Sequence, residues 1–517
     1  MNLSKSRYTL FRQCPKALWM RINKPEEAAE TDDARMEDGK EVGDLAKGLF
    51  GAYTDVTATK PDGSLDIAKM IDQTKKCLDE QVNTICEAAF SADGCYCAVD
   101  ILHRENGGWA IYEVKSSSHK VEYNAKGELK PDNIKDTYIW DIAYQKHVLE
   151  QCGINVTGTY LVRLEHSYTL QGELNVQQLF HIKDMRELIA EESNHVAEYC
   201  QAAKELLSLT EEPLQLLHMG CHTPYDCAFK DYCMRYYQLP SPSVFNVYGG
   251  KGRGGFTFEK KLKYFYKHKV SFDDLRGEHI GKIQDMQIAC TLQDKVSIDK
   301  QGIRKFLRTV KYPLYHLDFE TVQYAIPFYQ GTHPSQQVAF QYSLHIEPTQ
   351  GGECEHREFL ADACSDNPMR ELAEQLCRDI PADKCVLVYN EDFEKTRLKE
   401  MAEAFPDLAE HLLAIRNNIV DLLKPFRDGY YYVPAMEGSF SIKKVLPALF
   451  PNDPTLDYHN LPGTVHNGGE AMDIFPKMRD MKGQELADAR HSLLVYCQLD
   501  TWSMVVILRK LYQVSKK

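Results

Sequence analysis

No apolar run in this 517-residue chain approaches the roughly 20 residues needed to cross a bilayer. The opening Met1-Asn2-Leu3-Ser4-Lys5-Ser6-Arg7 leads into no signal-type apolar core. A cytoplasmic, membrane-free protein is the expectation. Positive charge is short as well: 61 Lys and Arg stand against 75 Asp and Glu, for a net charge of −14. That balance argues against a basic coat of the kind that binds duplex non-specifically by neutralising phosphates. Internal repeats and low-complexity tracts are lacking, which speaks against a solenoid or a disordered chain. The glycines of Lys251–Gly255 form no phosphate loop, because no Lys-Ser/Thr follows at the required spacing.

What is there suits two cores. The length exceeds what one hydrophobic core usually serves, and 43% hydrophobic residues suffice to bury two. Charge is unevenly spread: Ser241 to Pro313 holds 15 Lys and Arg but 7 Asp and Glu. Within it, Lys251–Lys269 mixes 7 Lys and Arg with Phe256, Phe258, Tyr264, Phe265 and Tyr266. This composition fits contact with both phosphates and bases, and it fits a basic interdomain connector equally well.

Sixteen cysteines without a secretion signal read as free thiols or metal ligands rather than a disulfide framework. Most are isolated, as at Cys77, Cys152, Cys290 and Cys377, where a buried inert thiol is expected. Cys221, Cys227 and Cys233 differ, being spaced six residues apart in a turn-rich segment. Three thiols leave a tetrahedral zinc or a cubane cluster one ligand short. A zinc reading takes His222 as the fourth donor or stays incomplete, and unrelated buried cysteines are the plain alternative.

Carboxylates carry the chemistry. Cys95–His103 and Gly108–Lys115 are apolar runs separated by Arg104-Glu-Asn-Gly107, which reads as a hairpin. Alternation puts Glu113 and Lys115 on one face of the second strand. Asp100 and Glu113 can share a Mg²⁺ or Mn²⁺, while Lys115 orients the attacking water and lowers the cost of a hydroxide. The arrangement resembles the PD-(D/E)xK pattern, and with the cysteines it resembles RecB-type nucleases that carry a 4Fe-4S cluster, CRISPR-associated members included. That resemblance supplies Cys14 as the fourth cluster ligand beside Cys221, Cys227 and Cys233. It also places the family's Gln-x-x-x-Tyr helix at Trp140–Leu149, with Gln145 as the catalytic glutamine and Leu149 where the Tyr would stand. Upstream, where many relatives carry a metal-binding His, Asp38–Ala46 has none; Glu41 or Asp44 can substitute, or the segment is a plain amphipathic helix.

After Pro313 a second pattern begins. Leu314-Tyr-His-Leu-Asp318-Phe-Glu320 reads as a strand with both acids on one face, able to bind a metal. Cys385–Asn390 leads into Glu391-Asp392-Phe393-Glu394 and a helix. In the last helix, Tyr496 and Asp500 are aligned by their i, i+4 spacing. The order resembles DnaQ-like, RNase H-fold exonucleases of the DEDDy type, in which four acids hold two metals and the Tyr positions the nucleophilic water. The resemblance carries over to Asp318, Glu320, Tyr496 and Asp500. Glu394 stands where that family has Asp, with Asp392 as the alternative, and the longer arm bears on whether this second site is active. Asp421 falls where relatives have a further, structural Asp, and Gly438–Leu446 resembles their substrate-side helix.

Taken whole, the chain resembles a bacterial family fusing the two modules. The expected class is α/β with two nuclease domains: a restriction-endonuclease-like PD-(D/E)xK fold with an iron–sulfur cluster over 1–240, a basic connector over 241–310, and an RNase H-like exonuclease over 311–517. The function implied is metal-dependent cleavage of DNA, single-stranded or at duplex ends, in repair or defence against foreign DNA. Two alternatives stay open: RNA processing through the C-terminal domain, since that fold acts on either polymer, and nucleic-acid binding without catalysis.

Overall fold

Apolar runs punctuated by Asp93-Gly94 and Asn106-Gly107 fold the first half of the chain into an antiparallel meander. All four turn residues have positive φ, between 45° and 77°. Two-residue loops of this hand match the twist of the strands they join. A computed structural model describes residues 3–29, 34–124, 126–250 and 255–516. The protein is mixed α/β. It divides into two units, Met1–Gln238 with Tyr324–Ser335, and Leu239–Gln323 with Gln336–Lys517.

The first unit holds a sheet of β1 (Leu3–Ser4), β2 (Thr54–Asp55), β3 (Thr84–Ala92), β4 (Cys95–Glu105), β5 (Gly108–His119), β6 (Val156–Glu165) and β7 (Phe180–Asp184). Its order is β2-β3-β4-β5-β6-β7, with β1 paired to β4. The meander β3-β4-β5 is followed by a crossover to β6, which runs parallel to β5. That crossover is the helix Asp136–Gln151, whose Ile142, Ala143, Tyr144, Val148 and Leu149 are buried against Ile85, Val99, Ile111 and Leu161. On the opposite face Val42, Ala46, Ile101, Tyr112, Val162 and Leu164 form a second layer that includes Ala325. Odd-numbered residues of β5 therefore face the crossover helix, which brings Glu113 and Lys115 to its side.

Two helices precede this sheet. The helix Lys5–Gln13 starts at Ser4, whose side chain caps Arg7 N. Cys14 is extended at φ −160°, and Pro15 opens the next helix, Pro15–Asn23. The helix Ala34–Ala46 buries Val42 and Ala46, leaves Glu41 exposed and pairs Asp44 with Lys47 at 2.6 Å. Its described side chains thus behave as an amphipathic helix.

In the second unit β8 (Ser297–Ile298) pairs with β14 (Tyr431–Tyr432). The main sheet contains β9 (Leu314–Gln323), β10 (Gln337–Glu347), β11 (Glu355–Leu360), β12 (Cys385–Val388) and β13 (Ile419–Asp421). Its order is β11-β10-β9-β12-β13: the first three strands are antiparallel, and β12 and β13 run parallel to β9. The helix Gly483–Lys516 packs on β9 and β10. By length and composition this helix is apolar enough to cross a membrane, yet 67% of its most apolar stretch is buried inside the protein. It serves as a core helix.

Residues 241–310, expected as a connector, belong to the second unit. Val244, Val247, Phe256, Phe272, Leu275 and Ile288 make a small core there. The aromatic residues of the basic stretch largely serve packing: Phe256 is buried, and Phe258 and Phe265 lie on Phe245. Its cations have local partners, Lys263 with Glu259 at 2.7 Å and Lys261 Nζ with Phe245 O at 2.9 Å. Lys251 and Arg253 lie outside the described residues.

Two candidate active sites

Asp100, Glu113 and Lys115 converge on the face covered by the crossover helix. Lys115 Nζ is 2.5 Å from Glu113 Oε1 and 2.9 Å from Asp141 Oδ2. The backbone N–H of Val114 donates to Asp100 Oδ2 at 2.7 Å. Gln145 Nε2 donates to Glu113 Oε2 at 2.6 Å and to Asp141 Oδ1 at 3.0 Å. Gln145 is fully buried, so it orients the two acids. Asp141 lies one turn before it on the same helix face, a signal visible as Asp-x-x-x-Gln but not used in the sequence reading.

Lys5 and Glu87 were also missed. Lys5 Nζ lies 3.1 Å from Glu113 Oε1, 3.6 Å from Asp100 Oδ1 and 3.8 Å from Asp141 Oδ1. It arrives from the N-terminal helix, across more than 100 residues of chain, so no local pattern announces it. Glu87 sits in β3 between the pairs Cys86↔Ile101 and Ala88↔Val99, opposite Asp100, with φ 57°. A left-handed non-glycine residue inside a strand costs about 1–3 kcal/mol and persists where its surroundings over-determine it, commonly at functional sites.

Electrostatics follow from this crowding. Burial pushes Glu87 up to about 7, with the Asp100 charge adding to it. Burial and then Glu113 push Asp141 up to about 6 and raise Asp100 in the same way. For Glu113 burial is outweighed by the Lys115 and Lys5 ammoniums, which hold it below the usual carboxylate range. A divalent cation coordinated by Asp100 and Glu113 would take over the role the two lysines play here.

The site opens on a 1160 Å³ cleft lined by Lys5, Arg7, Arg21, Lys115 and Lys135, with Tyr138 and Tyr225. Lys135 Nζ lies 4.5 Å from the Tyr225 ring centroid. In a chain of net charge −14, this is a local concentration of cations.

Cys14 and the 221–233 segment come together in the first unit. Gln13 Nε2 donates to Gly220 O and Tyr225 O, both at 2.8 Å. Gly220 is required at this approach, since a Cβ there would meet Gln13 O at 2.2 Å. Cys14, Cys221 and Cys233 are buried and Cys227 half-buried. Burial pushes the Cys14 thiol up to about 12, and the nearby Cys227, Cys221 and Cys233 add to the shift. The four thiols are near enough to raise one another's affinity for a proton, although among the described residues no three of their sulfurs lie within 4.8 Å of one another, the spacing that a single zinc ion needs. His222 is instead paired with Asp226 at 2.7 Å.

The second acid group lies under the last helix. Donor atoms of Asp318, Glu320 and Cys497 fall within 4.8 Å of one another. Asp500 and Tyr496, one helical turn apart, are buried with them. Tyr458 OH donates to Asp500 Oδ1 at 2.6 Å. Burial pushes Asp318 well above the carboxylate range, with Asp500, Glu320 and Glu394 adding to it. Burial likewise takes Glu394 up to about 8 and Asp500 up to about 6. Glu394 is thus the acid facing this group, and Asp392 is exposed. Lys443 Nζ lies 5.3 Å from the ring centroids of both Tyr458 and Tyr496, and its charge lowers Asp318, Glu320 and Asp500. Tyr458, Lys443 and Cys497 were not singled out from the sequence. Tyr458 and Lys443 come from loops and short helices distant in the chain, and Cys497 is one of many isolated thiols.

Asp421 has a structural task. Its Oδ1 accepts from Asn390 N and Leu423 N at 2.9 Å, and Oδ2 pairs with Arg427 at 3.3 Å. It steadies Asn390, at φ 78°, where the chain turns into the helix Glu391–Ala404 that carries Glu394.

Comparison with known proteins adds sequence relationship without activity. The family described as Domain of unknown function (DUF2779) matches residues 315–441. That span holds Asp318, Glu320, Glu394 and Asp421 but stops short of Tyr496 and Asp500. An uncharacterized protein of Ureaplasma parvum is 25% identical over 303 residues, 52% of this chain and 42% of its own length. One of Mycoplasma genitalium is 25% identical over 217 residues, 39% of this chain and 32% of its own. A Mycoplasma pneumoniae homologue of the latter is 24% identical, covering 40% and 34%. The chain therefore spans about a third to two-fifths of the length of these curated relatives. No solved structure matches the chain significantly.

Proposed function

We propose that the protein is a divalent-metal-dependent nuclease with two active sites, acting on DNA as its main substrate. The observation that carries this reading is the convergence of Asp100, Glu113, Asp141 and Lys115 at a cleft walled by cations in an otherwise acidic protein. Cations along a groove track a phosphate backbone, and the exposed Tyr225 offers a ring for a base. The meander, crossover helix and parallel fourth strand support a PD-(D/E)xK fold for the first unit. The order β11-β10-β9-β12-β13, with acids on β9 and on the last helix, supports an RNase H-like fold for the second.

In the first site Asp100 and Glu113 would hold Mg²⁺ or Mn²⁺, which polarises the phosphoryl group and acidifies bound water. Gln145 keeps Glu113 and Asp141 in place, and Lys115 orients the water and steadies charge developing on the phosphate. Lys5, which lines the cleft beside the three acids, would be free to meet a phosphate oxygen once a cation held those acids. In the second site Asp318, Glu320, Glu394 and Asp500 would hold the cations, Tyr496 positions the water, and Tyr458 fixes Asp500. Cys14, Cys221, Cys227 and Cys233 would hold a 4Fe-4S cluster, which supplies a cross-link between the N-terminal helices and the 221–233 segment. A cytoplasmic location suits the abundance of free thiols.

The test is cleavage of end-labelled single- and double-stranded DNA and single-stranded RNA with Mn²⁺ or Mg²⁺, by the wild type, Lys115→Ala and Asp318→Ala. We expect each variant to lose one activity by about 10²–10⁴-fold. Cleavage of RNA alone, lost in Asp318→Ala, would move the function to RNA processing. Wild-type protein that cuts none of the three substrates would overturn the proposal.

A further inference from the structure

A second group of donors lies on the cleft-side face of the first unit's sheet, beyond the acids. A register shift between Lys115 and Ser118 carries β5 past its neighbour and sets His119 opposite Glu165 of β6, while Arg163 of β6 stands opposite His181 of β7. Asp132, in the segment leading to the crossover helix, reaches the same place. One donor atom from each of His119, Asp132 and His181 lies within 4.8 Å of the other two. The two imidazoles stack with centroids 3.7 Å apart, and Glu165 Oε2 is 3.6 Å from His181 Nδ1. His119 Nδ1 is buried and, among the described residues, has no hydrogen-bond partner. A buried ring nitrogen without a partner is uncommon and calls for an occupant.

We propose that His119, Asp132 and His181, with Glu165 as fourth donor, form a structural site for one divalent transition-metal ion of the Zn²⁺ type. Two imidazoles and two carboxylates match the preference of Zn²⁺ for mixed N and O donors, whereas Mg²⁺ favours all-oxygen shells. Bond lengths of about 2.0–2.2 Å place tetrahedral donors roughly 3.4 Å apart, so donors already within 4.8 Å need only side-chain adjustment. The charged groups acting on this cluster are Arg163, Lys183 and Glu165. Arg163 pairs with Oδ2 of Asp132 and so orients the carboxylate.

The placement says what the ion does. His119 and Asp132 bracket the segment 120–131, whose Val121, Tyr123 and Leu129 are exposed. Just before and just after the bracketed stretch lie Ser116 and Ser117, then Lys135, Thr137 and Tyr138, all lining the cleft. An ion shared by His119, Asp132 and His181 closes this loop onto the sheet and fixes the cleft wall. This site is independent of the proposed cleavage chemistry.

The experiment is Zn²⁺ titration of chelator-treated full-length protein, wild type against His181→Ala and Asp132→Asn, by competition with a chromophoric chelator. Trypsin cleavage at Lys120 and Lys130 is followed in parallel. The wild type should bind one equivalent more than either variant, and Zn²⁺ should slow cleavage there by about tenfold in the wild type alone. The cysteine group is common to all three proteins, so the difference isolates this site. Melting in chelator identifies a variant that does not fold, in which case the other carries the test. Equal stoichiometry in wild type and the folded variant, or equal protection of the loop, overturns the proposal.

Discussion

Asp100, Glu113 and Asp141 share their pocket with two ammonium groups, Lys5 and Lys115, no more than 3.8 Å from at least one of them. Glu320, Glu394 and Asp500 are buried beside a half-buried Asp318, and the cation acting on them, Lys443, lies 5.3 Å from the ring centroids of both Tyr458 and Tyr496. The charge of the first group is partly offset by two ammonium groups of its own chain, and one carboxyl there, Glu113, sits below its ordinary range. In the second group the four acids are all raised. Two clusters of similar composition therefore differ in how strongly they call for a cation from solution.

The largest expected effect separates the two units outright. Cys227→Ser should remove the visible absorbance of an iron–sulfur protein and lower the melting of the first unit by about 10 °C, leaving the second unit's transition in place. Absorption spectra and two-transition calorimetry read it; a colourless wild type purified without oxygen would remove the cluster from the account.

Next comes the pH dependence in chelator. Carboxyls raised in the folded protein contribute stability that is complete below their unfolded values of about 4. That contribution is lost as pH rises through about 6 for Asp500 and about 8 for Glu394. The second unit should therefore melt at falling temperatures from pH 5 to 8, and Mn²⁺ should abolish the fall. Glu394→Gln should flatten its upper part. A melting temperature that climbs over this range would contradict the charge imbalance described.

Lys5→Met tests the balance of the first cluster. Removing one of two ammoniums should tighten Mn²⁺ binding at this site by about tenfold, measured by titration in an Asp318→Asn background. Unchanged affinity would mean that Lys5 does not compete with the cation. The smallest effect is expected for Tyr458→Phe, which deletes the 2.6 Å hydrogen bond to Asp500. A loss of about fivefold in cleavage by the second site matches one such bond, and no change would make Tyr458 a packing residue.

Much of the local architecture was legible. Asn106-Gly107 marks a hairpin because both residues accept positive φ, and the alternation of β5 and β9 sets which side Glu113, Lys115, Asp318 and Glu320 face. The spacing of Tyr496 and Asp500 set one helix face for the same reason. Lys5, Tyr458 and Lys443 have no local pattern, because their part in each cluster depends on chain segments meeting across long sequence separations, whereas Asp141 shares a helix face with Gln145 and is legible as Asp-x-x-x-Gln. The composition of residues 241–310 leaves open whether they form a binding surface or a connector, since aromatic and basic residues alone cannot distinguish a binding surface from a small core carrying a solvated rim.

By itself the sequence determined the pleat, the helical faces and the acids they present, since periods of 2 and 3.6 residues act within a single element. Tertiary structure decided which cations and hydroxyls those acids meet, and so which carboxyls stay ionised. It also decided that Tyr324–Ser335 belongs with the first unit and that His119, Asp132 and His181 share one spot. Burial and Coulomb interaction act through space, and neither follows the order of residues along the chain.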